Sequence, residues 1–144
     1  ANWRARLRDL RPDLWLVHLG VNDIRQGVAP ADAARRLGAI VDELVRVHGA
    51  YRERILVATP SWDCHPDATP GLGTLADAIR TWTGGRGPAP GPDCHAAYAT
   101  DRARWYGADP VHPNEAGMAR MAALWCEAIV AALAPCPAGE GDAR

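Results

Sequence analysis

Asp109-Pro110-Val111-His112-Pro113-Asn114 sets a carboxylate and an imidazole three residues apart. At that spacing a single turn lets the carboxylate hold one ring nitrogen and leaves the other free to act as a general base. About ninety positions earlier, Gly20-Val21-Asn22-Asp23 closes an apolar run of strand length. An Asn presented at a strand end can offer its side-chain amide to a developing oxyanion. Each motif also has a plainer reading: Gly, Asn and Asp suit turns, and Asn114 is a good helix cap. Their order favours chemistry, because one motif ends a strand and the other opens a long helix.

These residues resemble the SGNH, or GDSL-type, family of esterases and lipases. Gly20, Asn22 and Asp23 match the family's Gly-x-Asn-Asp block, and Asp109 and His112 match its Asp-x-x-His block, with Pro113, Asn114 and Gly117 following. The resemblance implies His112 as general base, Asp109 as its orienter, Asn22 in the oxyanion hole, and Gly20 and Asp23 as the supporting loop. It also implies a serine nucleophile in an earlier Gly-Asp-Ser block. That block and the next have no counterpart, since the nineteen residues before Gly20 contain no serine. The expected activity is hydrolysis of carboxylic esters of acyl lipids, aryl alcohols or acetylated sugars, with this chain alone close to inactive. The other reading is a scaffold or binding module that has shed its nucleophile. No cofactor and no metal are implied, and the expected partners are an ester substrate and the missing N-terminal part of the same domain.

Ser61 is the only serine of the chain and follows a strand, but it lacks a tight Gly-rich turn, so it reads as a loop cap or pocket wall. Cys64-His65 and Cys94-His95 are zinc-ligand types without a C-x-x-C spacing. Disulfides are the better expectation, Cys64 with Cys94 between two rim loops, and Cys126 with Cys136 only if the chain doubles back. His18 reads as a satisfied core histidine, and His48 suits a helix C-terminus. Trp62, Trp82, Trp105 and Tyr106 are candidates for an acyl or alcohol pocket.

The elements that must position these groups alternate in type. A short helix around Trp3, Leu7 and Leu10 precedes the strand Leu14–Leu19, whose continuous apolar character suits an interior parallel strand. Leu37, Ile40, Val41, Leu44 and Val47 make a helix stripe ended by His48-Gly49. A second strand covers Arg54–Thr59, a loop runs from Ser61 to Gly73, and Leu72 to Trp82 suggests another helix. The stretch 84–92 is full of Gly and Pro and is expected to be irregular, with a short strand near Cys94–Tyr98. A helix from Glu115 to Leu133, capped by Asn114, ends the domain. The alternation argues for a three-layer α/β/α sandwich. The resemblance implies a flavodoxin-like parallel sheet of order 2-1-3-4-5 from which the two N-terminal strands are missing, so the strand before Gly20 becomes an edge. Residues 1–134 are read as a partial hydrolase domain and 135–144 as a polar tail.

With 144 residues, 48% of them hydrophobic, the chain can build one real core. A net charge of -1 and scattered arginines exclude a clustered cationic face for nucleic acid. All sixteen basic residues are Arg, a composition of the kind a GC-rich genome imposes. No run reaches the length of a membrane span. Four cysteines fit an exported protein, although the compartment is left open.

Overall fold

Three strands, Trp15–Val17 (β1), Ile55–Val57 (β2) and Ala89–Pro90 (β3), form a parallel sheet in sequential order. They belong to a computed structural model that describes residues 6, 7, 9–62 and 68–134. The helices are Val21–Arg25 (α1), Pro30–His48 (α2), Thr69–Thr83 (α3), Cys94–Ala99 (α4), Arg102–Trp105 (α5) and Glu115–Leu133 (α6). The fold is therefore α/β, as the alternation of apolar runs and helix stripes requires.

Side-chain alternation along the strands creates two separate clusters. Val17, Ile55 and Val57 pack with Leu37, Val41 and Leu44 of α2 and with Leu72, Leu75 and Ile79 of α3. Fully burying each such aliphatic side chain is worth roughly 1.5–3 kcal/mol, so this cluster is the main source of cohesion. Ala58 belongs to the second cluster, with Cys94 and Tyr98 of α4, Tyr106, and Met121, Leu124 and Trp125 of α6. His18 turns to the same side and meets Trp125 edge-on, with ring centroids 6.1 Å apart.

Among the described residues β1 is bordered only by β2, and Leu16 and Leu19 are 48% and 49% exposed, so the apolar run is not the interior strand its composition suggests but the edge expected when the two N-terminal strands are absent. The other edge, β3, lies inside the Gly/Pro stretch expected to be irregular. Pro90 is tolerated there because an edge strand has no outer neighbour needing its N–H. Gly91 then donates to the Val57 carbonyl at 2.9 Å, and a Cβ on Gly91 would stand 2.7 Å from the Ala58 nitrogen.

The strand expected near Cys94–Tyr98 is instead α4. Asp93 caps it, accepting from Ala96 N at 3.1 Å, and this local bond outweighs the weak strand character of the segment. The expected loop 61–73 is cut short, because α3 starts at Thr69 with Pro70 in its first turn, where no intrahelical N–H is needed. Gly71 belongs to that turn and packs against α1, for a Cβ on it would meet Ile24 Cγ2 at 2.7 Å. α2 ends at Gly49 with φ 67°, and α6 has the bounds and the Asn114 cap that were expected. Only Gly117 of α6 is buried, however, and the helix is long and apolar enough to cross a membrane by length and composition alone. That departs from the expectation of no such segment. Of the N-terminal helix expected around Trp3, Leu7 and Leu10, Leu7 is helical and Leu10 N donates to its carbonyl at 3.1 Å, whereas Trp3 and the tail 135–144 lie outside the described residues.

Candidate active site

Asp109 and His112 lie in the loop between Tyr106 and Pro113, two residues joined as an antiparallel bridge. Asp109 Oδ1 accepts the backbone N–H of Val111 at 2.8 Å and of His112 at 3.3 Å, which folds the turn around the carboxylate. Its other oxygen, Oδ2, is 2.7 Å from His112 Nδ1. The imidazole, the two N–H bonds and the partial charge on the ring hold the Asp109 carboxyl down at about 2. Asp109 is therefore an anion at any physiological pH. An anionic acceptor at Nδ1 favours the tautomer with its proton there, leaving the Nε2 lone pair available on a largely exposed side chain.

Two fasteners tie this loop to the frame. The Asn114 side chain accepts from Gly117 N at 2.9 Å and donates to the Arg104 carbonyl at 3.0 Å, while Asn114 N donates to the Trp105 carbonyl at 2.9 Å. One residue thus caps α6 and binds it to α5. The Tyr106 hydroxyl donates to the Trp62 carbonyl, and the Tyr98 hydroxyl to the Gly117 carbonyl. Trp62 follows β2, so the loop is anchored on the side of the carboxyl ends of the strands, where α/β sheets place their ligand sites.

Gly20, Asn22 and Asp23 sit just beyond the carboxyl end of β1. Gly20 takes φ 112°, and a Cβ there would stand 2.6 Å from Leu75 Cδ2, so only glycine fits both the turn and the packing. Asn22 and Asp23 are in the short helix α1 and not in an open loop. Asp23 is bonded to Arg36 of α2 at 2.7 Å, and its carbonyl accepts Val28 N at 3.0 Å, which holds the segment in place. Asn22 is exposed, and no hydrogen bond joins it to Asp109 or His112 among the described residues. The structure brings Asp109 and His112 into direct contact and groups the Gly20–Asp23 residues separately at the end of β1.

Ser61 is buried beside Trp62. Cys94 is a buried free thiol in α4, pushed up to about 12 by burial and by the Asp93 charge, so it is neither a rim-loop disulfide half nor a usable thiolate. Cys126 is free and exposed. Their proposed partners Cys64 and Cys136, and His65, lie outside the described residues. Among the described residues no group of His, Cys, Asp and Glu has the arrangement of a metal site. His18 is not the satisfied core histidine expected: it is half-buried, and its enclosed Nε2 has no hydrogen-bond partner among the described residues. Burial lowers its pKa, against an opposing backbone bond to Thr59. Of the aromatic candidates, Trp82 packs on the α2–α3 core and Tyr106 is buried in the second cluster, so neither is a pocket wall at this rim.

Sequence reasoning missed the polar brace beside the candidate site. Arg80 grips Asp93 through Nε at 2.8 Å and Nη2 at 2.9 Å, the Thr59 hydroxyl donates to Asp93 at 2.9 Å, and His95 N donates to that hydroxyl at 2.9 Å. Burial pushes the Asp93 carboxyl up, but the bonds from Arg80, Ala96 and Thr59 outweigh it and hold the group low. The available signal was Asp93 itself, an acceptor directly before Cys94-His95.

An α/β chain with a carboxylate-oriented imidazole near the strand ends falls in the class of hydrolase-type folds. The model of the GDSL-like lipase/acylhydrolase family matches residues 1–120, and the chain belongs to that family. Comparisons with curated proteins and with solved structures gave no match. Membership makes it a hydrolase of esterase type acting on a small-molecule substrate.

Proposed function

We propose that the chain carries the base side of a serine ester hydrolase acting on carboxylic esters. His112 Nε2 takes the proton from the attacking serine hydroxyl, Asp109 fixes the tautomer and stabilises the imidazolium, and the Asn22 amide holds the oxyanion. Gly20 and Asp23 position Asn22. The nucleophile belongs to a Gly-Asp-Ser segment outside these 144 residues, so the chain alone is close to inactive. The observation that supports this reading is the 2.7 Å contact between Asp109 Oδ2 and His112 Nδ1, with Oδ1 engaged by the turn's own N–H groups. A carboxylate tied down on both oxygens orients a ring that is otherwise free. The single Ser61 is not assigned the nucleophile's role.

The test joins the chain in frame to the coding sequence that precedes it and measures hydrolysis of 4-nitrophenyl esters. The expected result is activity that His112→Asn lowers on the order of a million-fold and Asp109→Asn on the order of ten-thousand-fold. Absence of a Gly-Asp-Ser segment upstream, or activity indifferent to His112, gives the lead to the scaffold reading.

A further inference from the structure

Helix α6 turns an apolar face to solvent that the rest of the described structure does not use. Ala116, Ala119, Ala123, Cys126, Val130 and Leu133 are all exposed. Their spacing alternates three and four residues, the heptad pattern that keeps one seam in line along a helix and lets it meet a second helix. Val130 and Leu133 are 69% and 54% exposed, and Met118 beside the seam is 55% exposed. Single exposed apolar residues are ordinary, but a continuous face along a 19-residue helix marks a contact surface. Residues 135–144 carry no apolar run to cover it.

The residues bordering the seam decide what it accepts. Arg120 follows Ala119 and Glu127 follows Cys126, so both stand on one side of it. Two turns, roughly 10 Å of helix, keep them from pairing with each other, and neither has an ion-pair partner among the described residues. The other border is apolar, with Ala122 and Ile129. In an antiparallel pair of α6 helices the seam layers are Ala123 with Cys126, Ala119 with Val130 and Ala116 with Leu133, so small meets large toward both ends. That register overlaps the two helices over their whole length. It also sets each Arg120 against the second copy's Glu127, and each Ala122 against the second copy's Ile129. A parallel pair does none of this, since it stacks alanine on alanine at one end and Leu133 on Leu133 at the other.

We propose that α6 is a homodimerisation surface, on which a second copy of this chain lays its own α6 antiparallel, with reciprocal Arg120–Glu127 contacts. The seam complements itself in size and in charge, which is what a two-fold contact requires, and such a contact closes at two copies. Met121, Leu124 and Trp125 stay on the second core cluster, so pairing needs no rearrangement of the chain. The inference does not depend on the ester-hydrolase reading.

The test is sedimentation velocity on the full chain carrying Leu16→Lys and Leu19→Lys, which charges the exposed strand edge and leaves α6 as the apolar face under test. The expected result is a monomer–dimer equilibrium in the micromolar range. Arg120→Glu places like charges together on both sides of the two-fold axis and weakens the dimer roughly tenfold, Glu127→Arg does the same, and the two changes together restore it. Restoration is the discriminating readout. A misfolded variant is not repaired by a second substitution, and neither is a parallel pair, in which Arg120 faces Glu115. A monomer throughout the range, a dimer indifferent to both single changes, or single changes that the double one does not repair overturns the proposal. Flotation with phosphatidylcholine vesicles in place of a dimer overturns it in favour of a lipid surface. A monomer formed only when the preceding coding sequence is joined overturns it in favour of that segment.

Discussion

At the scale of single residues, the Asp109–His112 pair makes a pH prediction with a definite sign. Asp109 is held at about 2 against an ordinary 3.8, first by the His112 hydrogen bond and then by the turn's N–H groups. A carboxylate depressed on folding adds stability that is present above its unfolded value and lost as pH falls through the folded one, here between about pH 4 and pH 2. Because the group is fully exposed, the gain is screened and small. Its titration is the better observable: the Asp109 carboxyl followed by carbon NMR should show a midpoint near 2, and His112→Ala should move it back toward 3.8. A midpoint already at the ordinary value would falsify the contact. This pairing was legible because spacing alone brings residues three apart onto one turn. The brace of Arg80, Asp93 and Thr59 was not, since its members are far apart in sequence and meet only through the packing of α3 and the start of α4 against the segment after β2.

At the scale of elements, legibility followed local chemistry. α6 was readable to its bounds because its Asn114 cap and its start at Glu115 are contiguous in sequence. α4 was misread as a strand because the deciding interaction is the Asp93 cap, itself held by Arg80 and Thr59 from two other elements. β3 was hidden because its two residues include a proline that only an edge tolerates, and edge position is a property of the sheet. The Asn114 cap matters twice, since the same side chain binds α6 to the α5 carbonyl of Arg104. Asn114→Ala should therefore cost about 1–2 kcal/mol by chemical denaturation, the upper part of the range for a cap. In the joined, active protein it should also lower kcat with little change in KM, because it loosens the loop carrying His112. Asn114→Asp, which keeps the acceptor for Gly117 N but not the donor to Arg104, should recover most of the stability and less of the rate.

At the scale of the whole molecule, the decisive feature is the free side of β1. Leu16 and Leu19 are about half exposed along it, and a groove of about 590 Å³ runs beside them, lined also by Leu7, Ile40 and Leu44. The helix over the opposite face of β1 is α6, which meets His18 through Trp125 and leaves Met118, Val130 and Leu133 exposed. An unpaired strand edge with apolar neighbours is a template for another chain, and natural edges are usually protected by charge, proline or a covering segment. Among the described residues none of these protects β1, and a net charge of -1 gives little repulsion between copies. The 144-residue chain should therefore self-associate at micromolar concentration in sedimentation velocity. Leu16→Lys with Leu19→Lys should raise the monomer fraction without loss of helical signal, since both side chains already reach solvent. A monodisperse, cooperatively melting monomer from the unaltered chain would mean that the edge is covered by the chain itself. Joining the preceding coding segment should have the same solubilising effect as the two lysines if that segment supplies the neighbouring strand, and none if it does not. Association and ester hydrolysis then report one event, since a strand seated on β1 ends beside Gly20 and Asn22.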